Sequence, residues 1–179
     1  MTEKKKKSKK SAIFGLKDVV LVIVILILAL SVHFMGVSRV SVRNDFMLDS
    51  MKPGENVLLC RVSYGLFNPI TGQMTKVTWG TPKRGDIILF RSEKDGKKKI
   101  MRILGLPGEK VSYRDGIIFI NSNLINDPYF RNRSFHKLNA IKLPENIYFT
   151  AGDNRELDEF GGNFEIVSRE QILGKILKK

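Results

Sequence analysis

The longest pattern in the chain is an uninterrupted apolar one. Val19 to Ser38 reads VVLVIVILILALSVHFMGVS, twenty residues without a formal charge. As a helix it would be about 30 Å long, the thickness of a bilayer's hydrocarbon core. Fourteen of the twenty are Val, Ile, Leu or Phe. At about −0.4 kcal/mol each, insertion is favoured by roughly 6 kcal/mol. A buried helix of a water-soluble protein would carry a polar face, and Val19 to Leu30 offers none. A membrane span is therefore predicted over 19–38.

Beyond it the pattern shortens. VLLCRV (Val57 to Val62), DIILFR (Asp86 to Arg91), KIMRILGL (Lys99 to Leu106), KVSYRDGIIFIN (Lys110 to Asn121) and IYFTAG (Ile147 to Gly152) are short runs rich in β-branched and aromatic residues. Gly, Pro, Asn and Asp bound them, so they predict strands. Arg114-Asp115-Gly116 predicts a hairpin turn. Asn126 to Leu138 has no clear period and reads as a loop. Ser168 to Leu177 (SREQILGKIL) predicts the one helix of this region, with Ser168 as N-cap and Gln171 completing a capping box. There is no internal repeat. The fold class that follows is mostly β: an antiparallel β-sheet domain on one N-terminal transmembrane helix.

Charge fixes the orientation. The first eighteen residues hold seven lysines against Glu3 and Asp18. The positive-inside rule keeps such a head in the cytoplasm and sends the rest across. The chain thus divides into a basic cytoplasmic head (1–18), a transmembrane helix (19–38) and an extracytoplasmic domain (39–179). A cleaved signal peptide would have a shorter apolar stretch and an A-x-A-like exit, which Gly36-Val37-Ser38 matches only in part. The net charge of +13 suits a nucleic-acid binder in size, but its concentration beside the span gives it a topological meaning and some affinity for anionic lipid. No nucleic-acid partner is expected. One cysteine, Cys60, excludes an intrachain disulfide, and His33 and His136 stand too far apart to suggest a metal site. No Ser-His-Asp set is legible, and Asp153-Asn154-Arg155 by itself reads as a turn with a charge pair.

In their order, however, the segments resemble the bacterial type I signal peptidase (leader peptidase) family. RGDIILF, with Arg84, Gly85 and Asp86, looks like one signature block. RILGLPGEKV, with Arg102, Gly105, Pro107 and Gly108, looks like the next. AGDNR, with Gly152, Asp153, Asn154 and Arg155, followed by ILGK at Ile172 to Lys175, looks like the last. Tyr64 to Asp86 is similar to the connector of the Gram-negative-type enzymes. The resemblance covers nearly everything after the basic head. It implies a mostly antiparallel β fold, in the bacterial inner (cytoplasmic) membrane with the domain periplasmic or otherwise extracytoplasmic. It also implies removal of signal peptides from exported preproteins after small residues. In the family a serine attacks the scissile carbonyl and a lysine kept neutral by burial takes its proton. Neither metal nor organic cofactor is implied.

Carried over position by position, the resemblance meets substitutions. The serine block reads V-x-G-x-S-M-x-P-T-L-x-x-G-D, and Val42 to Glu55 lies along it without a gap, with Met47, Gly54 and Glu55 in place. The nucleophile's position is Phe46. The lysine block reads Y-I-K-R-V-I-G-L-P-G-D, and Lys99 to Glu109 matches it with Met101 where the lysine belongs. Asn44 stands where the Gram-negative pattern has an oxyanion-donating serine. Asp158, Phe160, Gly161 and Gly162 fall on the Ser, Asp, Ser and Arg positions that follow the last block. Neither Phe nor Met can carry the proton transfer. A degenerate family member is therefore expected, with membrane lipid as a partner and signal peptides or an active paralogue as further ones. Two alternatives stand beside it. One is an active serine endopeptidase using Ser50, whose Ser50-Met51-Lys52-Pro53 spells the family's S-M-x-P, with Lys99 as base. Here a mismatch of about 7 Å in register must shrink to a contact of about 3 Å, and Lys99 beside Lys98 reads as a solvated cation. The other is a structural or lipid-associated envelope protein.

Overall fold

The structure is a computed structural model that describes residues 15–68, 74–114, 117–125, 137–154 and 164–177. The chain separates into two units, Met1–Phe34 and Met35–Lys179. Helix α1 runs over Leu16–Gly36, all but its last two residues in the first unit. The Asp18 carboxylate accepts from the Gly15 backbone N–H at 3.0 Å and closes its first turn. Every large apolar side chain from Val19 to Leu28 is exposed, so this stretch of the helix is apolar all round. The side chains of residues 30–35 lie outside the described set. Among the described residues no helix is long and apolar enough to cross a membrane. The helix also stops earlier than the apolar run: Val37 and Ser38 open a strand.

The second unit is built on a seven-stranded antiparallel sheet in the order β1-β2-β13-β5-β6-β11-β12. Its strands are β1 (Val37–Ser41), β2 (Asn56–Cys60), β5 (Ile87–Arg91), β6 (Lys98–Gly105), β11 (Ile147–Ala151), β12 (Phe164–Ser168) and β13 (Ile172–Leu177). A four-stranded sheet, β10-β7-β8-β9, holds β7 (Lys110–Arg114), β8 (Ile117–Ile120), β9 (Asn123–Leu124) and β10 (Lys137–Lys142). A two-stranded ribbon pairs β3 (Gly65–Phe67) with β4 (Met74–Thr78). The β7–β8 pairing bears out the hairpin expected from Asp115-Gly116, two residues that lie outside the described set.

Side-chain alternation sorts the core. β5 and β6 are central, so both of their faces are covered: Ile87, Leu89 and Ile100 pack with Met47, Met51 and Leu59. Ile88, Phe90, Met101 and Ile103 pack with Tyr64, Tyr148, Val167 and Ile172. A third cluster, around Val111, Tyr113 and Phe149, covers the four-stranded sheet.

The helix expected over Ser168 to Leu177 does not form. Its predicted start is present, because the Ser168 backbone N–H donates to Gln171 Oε1 at 2.5 Å. The turn lasts only Arg169–Gln171, and Ile172–Leu177 continue as the strand between β2 and β5. Gly174 explains the choice: at φ +152° it sits in a bulge where a Cβ would lie 2.6 Å from the Cys60 carbonyl oxygen. Lys137 and Leu138, the end of the expected 126–138 loop, instead lie in β10, while 126–136 fall outside the described residues.

Candidate functional site

The site forms where a short turn meets β6. Asp45–Met47 is one turn of 3-10 helix. It places Met47 in the core on one side and Phe46 against the Tyr64–Phe90–Met101–Tyr148 cluster on the other. Met101 is fully buried. Its sulfur lies 3.7 Å from the Thr150 Oγ1, whose hydroxyl donates to the Glu165 carbonyl at 3.0 Å. The two positions singled out in the sequence are therefore neighbours in one apolar cluster.

The turn is held from across the molecule by its backbone. The Asn154 backbone N–H donates to the Phe46 carbonyl at 2.8 Å, and its amide Nδ2 donates to the Asp45 carbonyl at 3.0 Å. Beside it, the fully buried Asp153 accepts both arms of Arg102, Nε at 2.8 Å and Nη2 at 2.7 Å. The Ser50 hydroxyl donates to the same carboxylate. The charge pair of the 153–155 tripeptide is thus made with Arg102 on β6, and Arg155 lies outside the described residues. Asn44 Oδ1 is buried without a hydrogen-bond partner.

Lys99 differs from its expectation. It is 8% exposed rather than solvated. Its ammonium pairs with Glu165, and with Asp95 at 3.3 Å, and stands 5.8 Å from the centre of the Phe46 ring. Burial would lower its pKa, but the hydrogen bonds and charges of Glu165 and Asp95 outweigh that and hold it above the usual lysine value. Along β6, residues 99 and 101 project to one face and 102 to the other. Ser50 and Lys99 accordingly hold different carboxylates, Ser50 on the Arg102 side and Lys99 on the Met101 side.

The sequence profile described as "Signal peptidase, peptidase S26" matches residues 16–178. The chain belongs to the signal peptidase family. It is 26% identical over 186 residues to signal peptidase I of Bacillus licheniformis, covering 97% of this chain and 91% of that one. To probable signal peptidase I-1 of Synechocystis sp. it is 25% identical over 169 residues, covering 90% and 80%. Over 90 residues it is 36% identical to signal peptidase I P of Bacillus subtilis subsp. natto, covering 43% and 47%. A crystal structure of a signal peptidase I from Enterococcus faecalis V583 aligns with a TM-score of 0.46 and 30% identity, over 56% of this chain and all of that one.

The other signal peptidase blocks are scaffold contacts. Arg84 bonds the Leu104 carbonyl and pairs with Glu109 at 2.5 Å. Gly85, at φ +88°, donates to Ile103 and accepts from Arg102. Asp86 takes the Tyr64 hydroxyl at 2.8 Å and the Lys175 ammonium at 2.6 Å. Burial acts to raise the Asp86 pKa, but these bonds and the Lys83 N–H outweigh it, so the carboxyl sits below its usual range. Gly105 ends β6, and the Pro107-Gly108 turn is tied back by the Gly108 N–H to Leu143. Gly152 is buried beside Asp153. Asp158, Phe160, Gly161 and Gly162 lie outside the described residues. Sequence reasoning missed Glu165, Asp95 and Thr150. Glu165 had a signal: in F-E-I-V-S it shares its parity with Val167, so a strand that buries Val167 buries the acid too.

Proposed function

We propose that this chain is a non-catalytic, membrane-anchored member of the signal peptidase family, which engages signal peptides or an active paralogue without cleaving a peptide bond. The observation that carries the proposal is Met101, fully buried and packed in one cluster with Phe46. At the two positions aligned with the family's dyad there is no nucleophile and no group able to take a proton at neutral pH. The lysine two residues away pairs with two carboxylates, and a cation held in this way does not serve as a base. Support for the anchor comes from the uncharged run of 19–38, the lysine-rich head before it, and the exposed apolar surface of α1.

A preprotein-processing assay on the purified chain in detergent tests the reading. No cleavage is expected from pH 7 to pH 10, and Ser50→Ala changes nothing. Cleavage abolished by Ser50→Ala would instead establish an active enzyme built on Ser50. Crosslinking to a preprotein or to an active peptidase then separates a binding partner from a purely structural envelope protein.

A further inference from the structure

The outer face of the four-stranded sheet is basic at both ends and apolar in the middle. Along β7, Lys110, Ser112 and Arg114 alternate with the buried Val111 and Tyr113, so they project away from the core. Ser112 pairs with Phe119 and Arg114 with Ile117, which puts both apolar residues of β8 on that same face. Phe119 pairs in turn with Leu124 of β9, and on the other side of β7 Lys110 pairs with Lys142 of β10. Ile117, Phe119 and Leu124 join none of the three core clusters, and Leu124 is 67% exposed. Lys110, Arg114 and Lys142 are exposed, and no strand of this sheet contains an Asp or Glu to neutralise them.

Size and charge select the occupant. Four strands about 4.8 Å apart, with Lys110 and Arg114 about 14 Å from each other, make a face on the order of 200 Å². A stable interface takes about 800 Å² from each partner, so this face cannot hold a second copy by itself. One helix, about 10–12 Å across, covers it. An added strand fits less well, because both edges of the sheet are blunted: β9 has only two residues, and β10 is bulged between Leu138 and Ile141. We infer that this face docks an acidic amphipathic helix of a partner protein. The helix's apolar stripe lies over Ile117, Phe119 and Leu124, and carboxylates about nine residues apart reach Arg114 at one end and Lys110 with Lys142 at the other. A signal peptide opens with positive charge and is repelled here, so this surface serves a different ligand. Exposed ion pairs make the contact weak and sensitive to salt.

The full chain is held in nanodiscs of zwitterionic phosphatidylcholine. Two amphipathic helical peptides carrying a neutral fluorophore are titrated by anisotropy, one with a Leu stripe flanked by Glu, the other with Lys for every Glu. The Glu peptide should bind, more weakly as salt rises, and the Lys peptide should not. Each exposed pair is worth up to about fivefold, so Arg114→Glu/Lys142→Glu should weaken the Glu peptide about tenfold or more. The same variant should begin to bind the Lys peptide, a gain that a misfolded domain does not produce. With photoreactive benzoylphenylalanine in place of Leu124, irradiation should crosslink the Glu peptide, in discs with or without phosphatidylglycerol. No binding of the Glu peptide, equal binding of both peptides, or a preference unchanged by the charge reversal would overturn the inference. A crosslink to phosphatidylglycerol in place of the peptide would make the occupant a membrane surface, and one to a second copy would make it a dimer contact; either overturns it as well.

Discussion

Rebuilding the dyad is the most demanding test of the site. Phe46→Ser with Met101→Lys places a hydroxyl on the clamped turn and an amine in the pocket now filled by a thioether. The lysine would be buried where Met101 has no exposed surface, and full burial depresses a lysine pKa by about 3–5 units. Lys99, two residues along the same strand face, lies about 7 Å away. An unscreened charge there would add about 2 kcal/mol of repulsion at an effective dielectric of 20, but Glu165 and Asp95 largely neutralise it. Desolvation therefore dominates, and Thr150 is placed to hydrogen-bond the neutral amine. Holding a lysine neutral costs about 5 kcal/mol at pH 7 and about 2 kcal/mol at pH 9, at about 1.4 kcal/mol per unit. The double variant should accordingly be more stable and more active at pH 9 than at pH 7. The assay is cleavage of a preprotein after a small-x-small site, with thermal unfolding followed at both values. Both single variants should be inert, because a serine without a base is a weak nucleophile and a base alone attacks nothing. Activity will be low, since a misplacement of about 1 Å costs about a hundredfold. Equal cleavage by either single variant, or a folded double variant with none, would refute the assignment of Phe46 and Met101.

Three further outcomes follow from the same contacts. Lys99→Met alone should destabilise the domain by about 3–5 kcal/mol, because it leaves the buried Glu165 uncompensated; Glu165→Gln should cost less, because Lys99 keeps Asp95, and Lys99→Met with Glu165→Gln should recover most of the loss; thermal unfolding at pH 7 measures all three. The raised Lys99 pKa contributes stability that is complete below the ordinary lysine value of 10.5 and is lost as pH rises through the folded value. The lowered Asp86 pKa contributes stability present above 3.8 and lost as pH falls. Unfolding midpoints should then fall at both ends of the pH range, with the alkaline limb flattened in Lys99→Met and the acid limb in Lys175→Met. Asn154→Ala should lower stability by about 1–3 kcal/mol by orphaning the Asp45 carbonyl, the backbone bond to the Phe46 carbonyl being kept, against about 1 kcal/mol for Ser50→Ala.

How much of this was legible beforehand depends on whether information was local. The central strands were legible because β5 and β6 are buried on both faces, and continuous apolar runs between turn residues announce that. β1 was not, since its residues alternate between exposed and half-buried positions and acquire strand geometry only from their partner. The 168–177 segment misled because a genuine cap opens it, and the cap's local signal extends no further than its own turn. At the site, the positions of Phe46 and Met101 followed from register alone. The fate of Lys99 did not: its neighbour Lys98 suggested solvent, while the carboxylate that buries it sits 66 residues away. Only strand parity at Glu165 pointed to that pairing.

The clamp on the 45–47 turn has a consequence for how such a chain changes over time. Asn154 grips carbonyl oxygens, which every residue type presents identically. The grip is therefore indifferent to the side chain at position 46, and its strength is the same over serine or phenylalanine. A population of such sequences can drift across that position with the backbone unmoved and the domain folded at every step. Catalysis and foldability are thereby uncoupled: one can be discarded, or regained, while the other stays under its own selection.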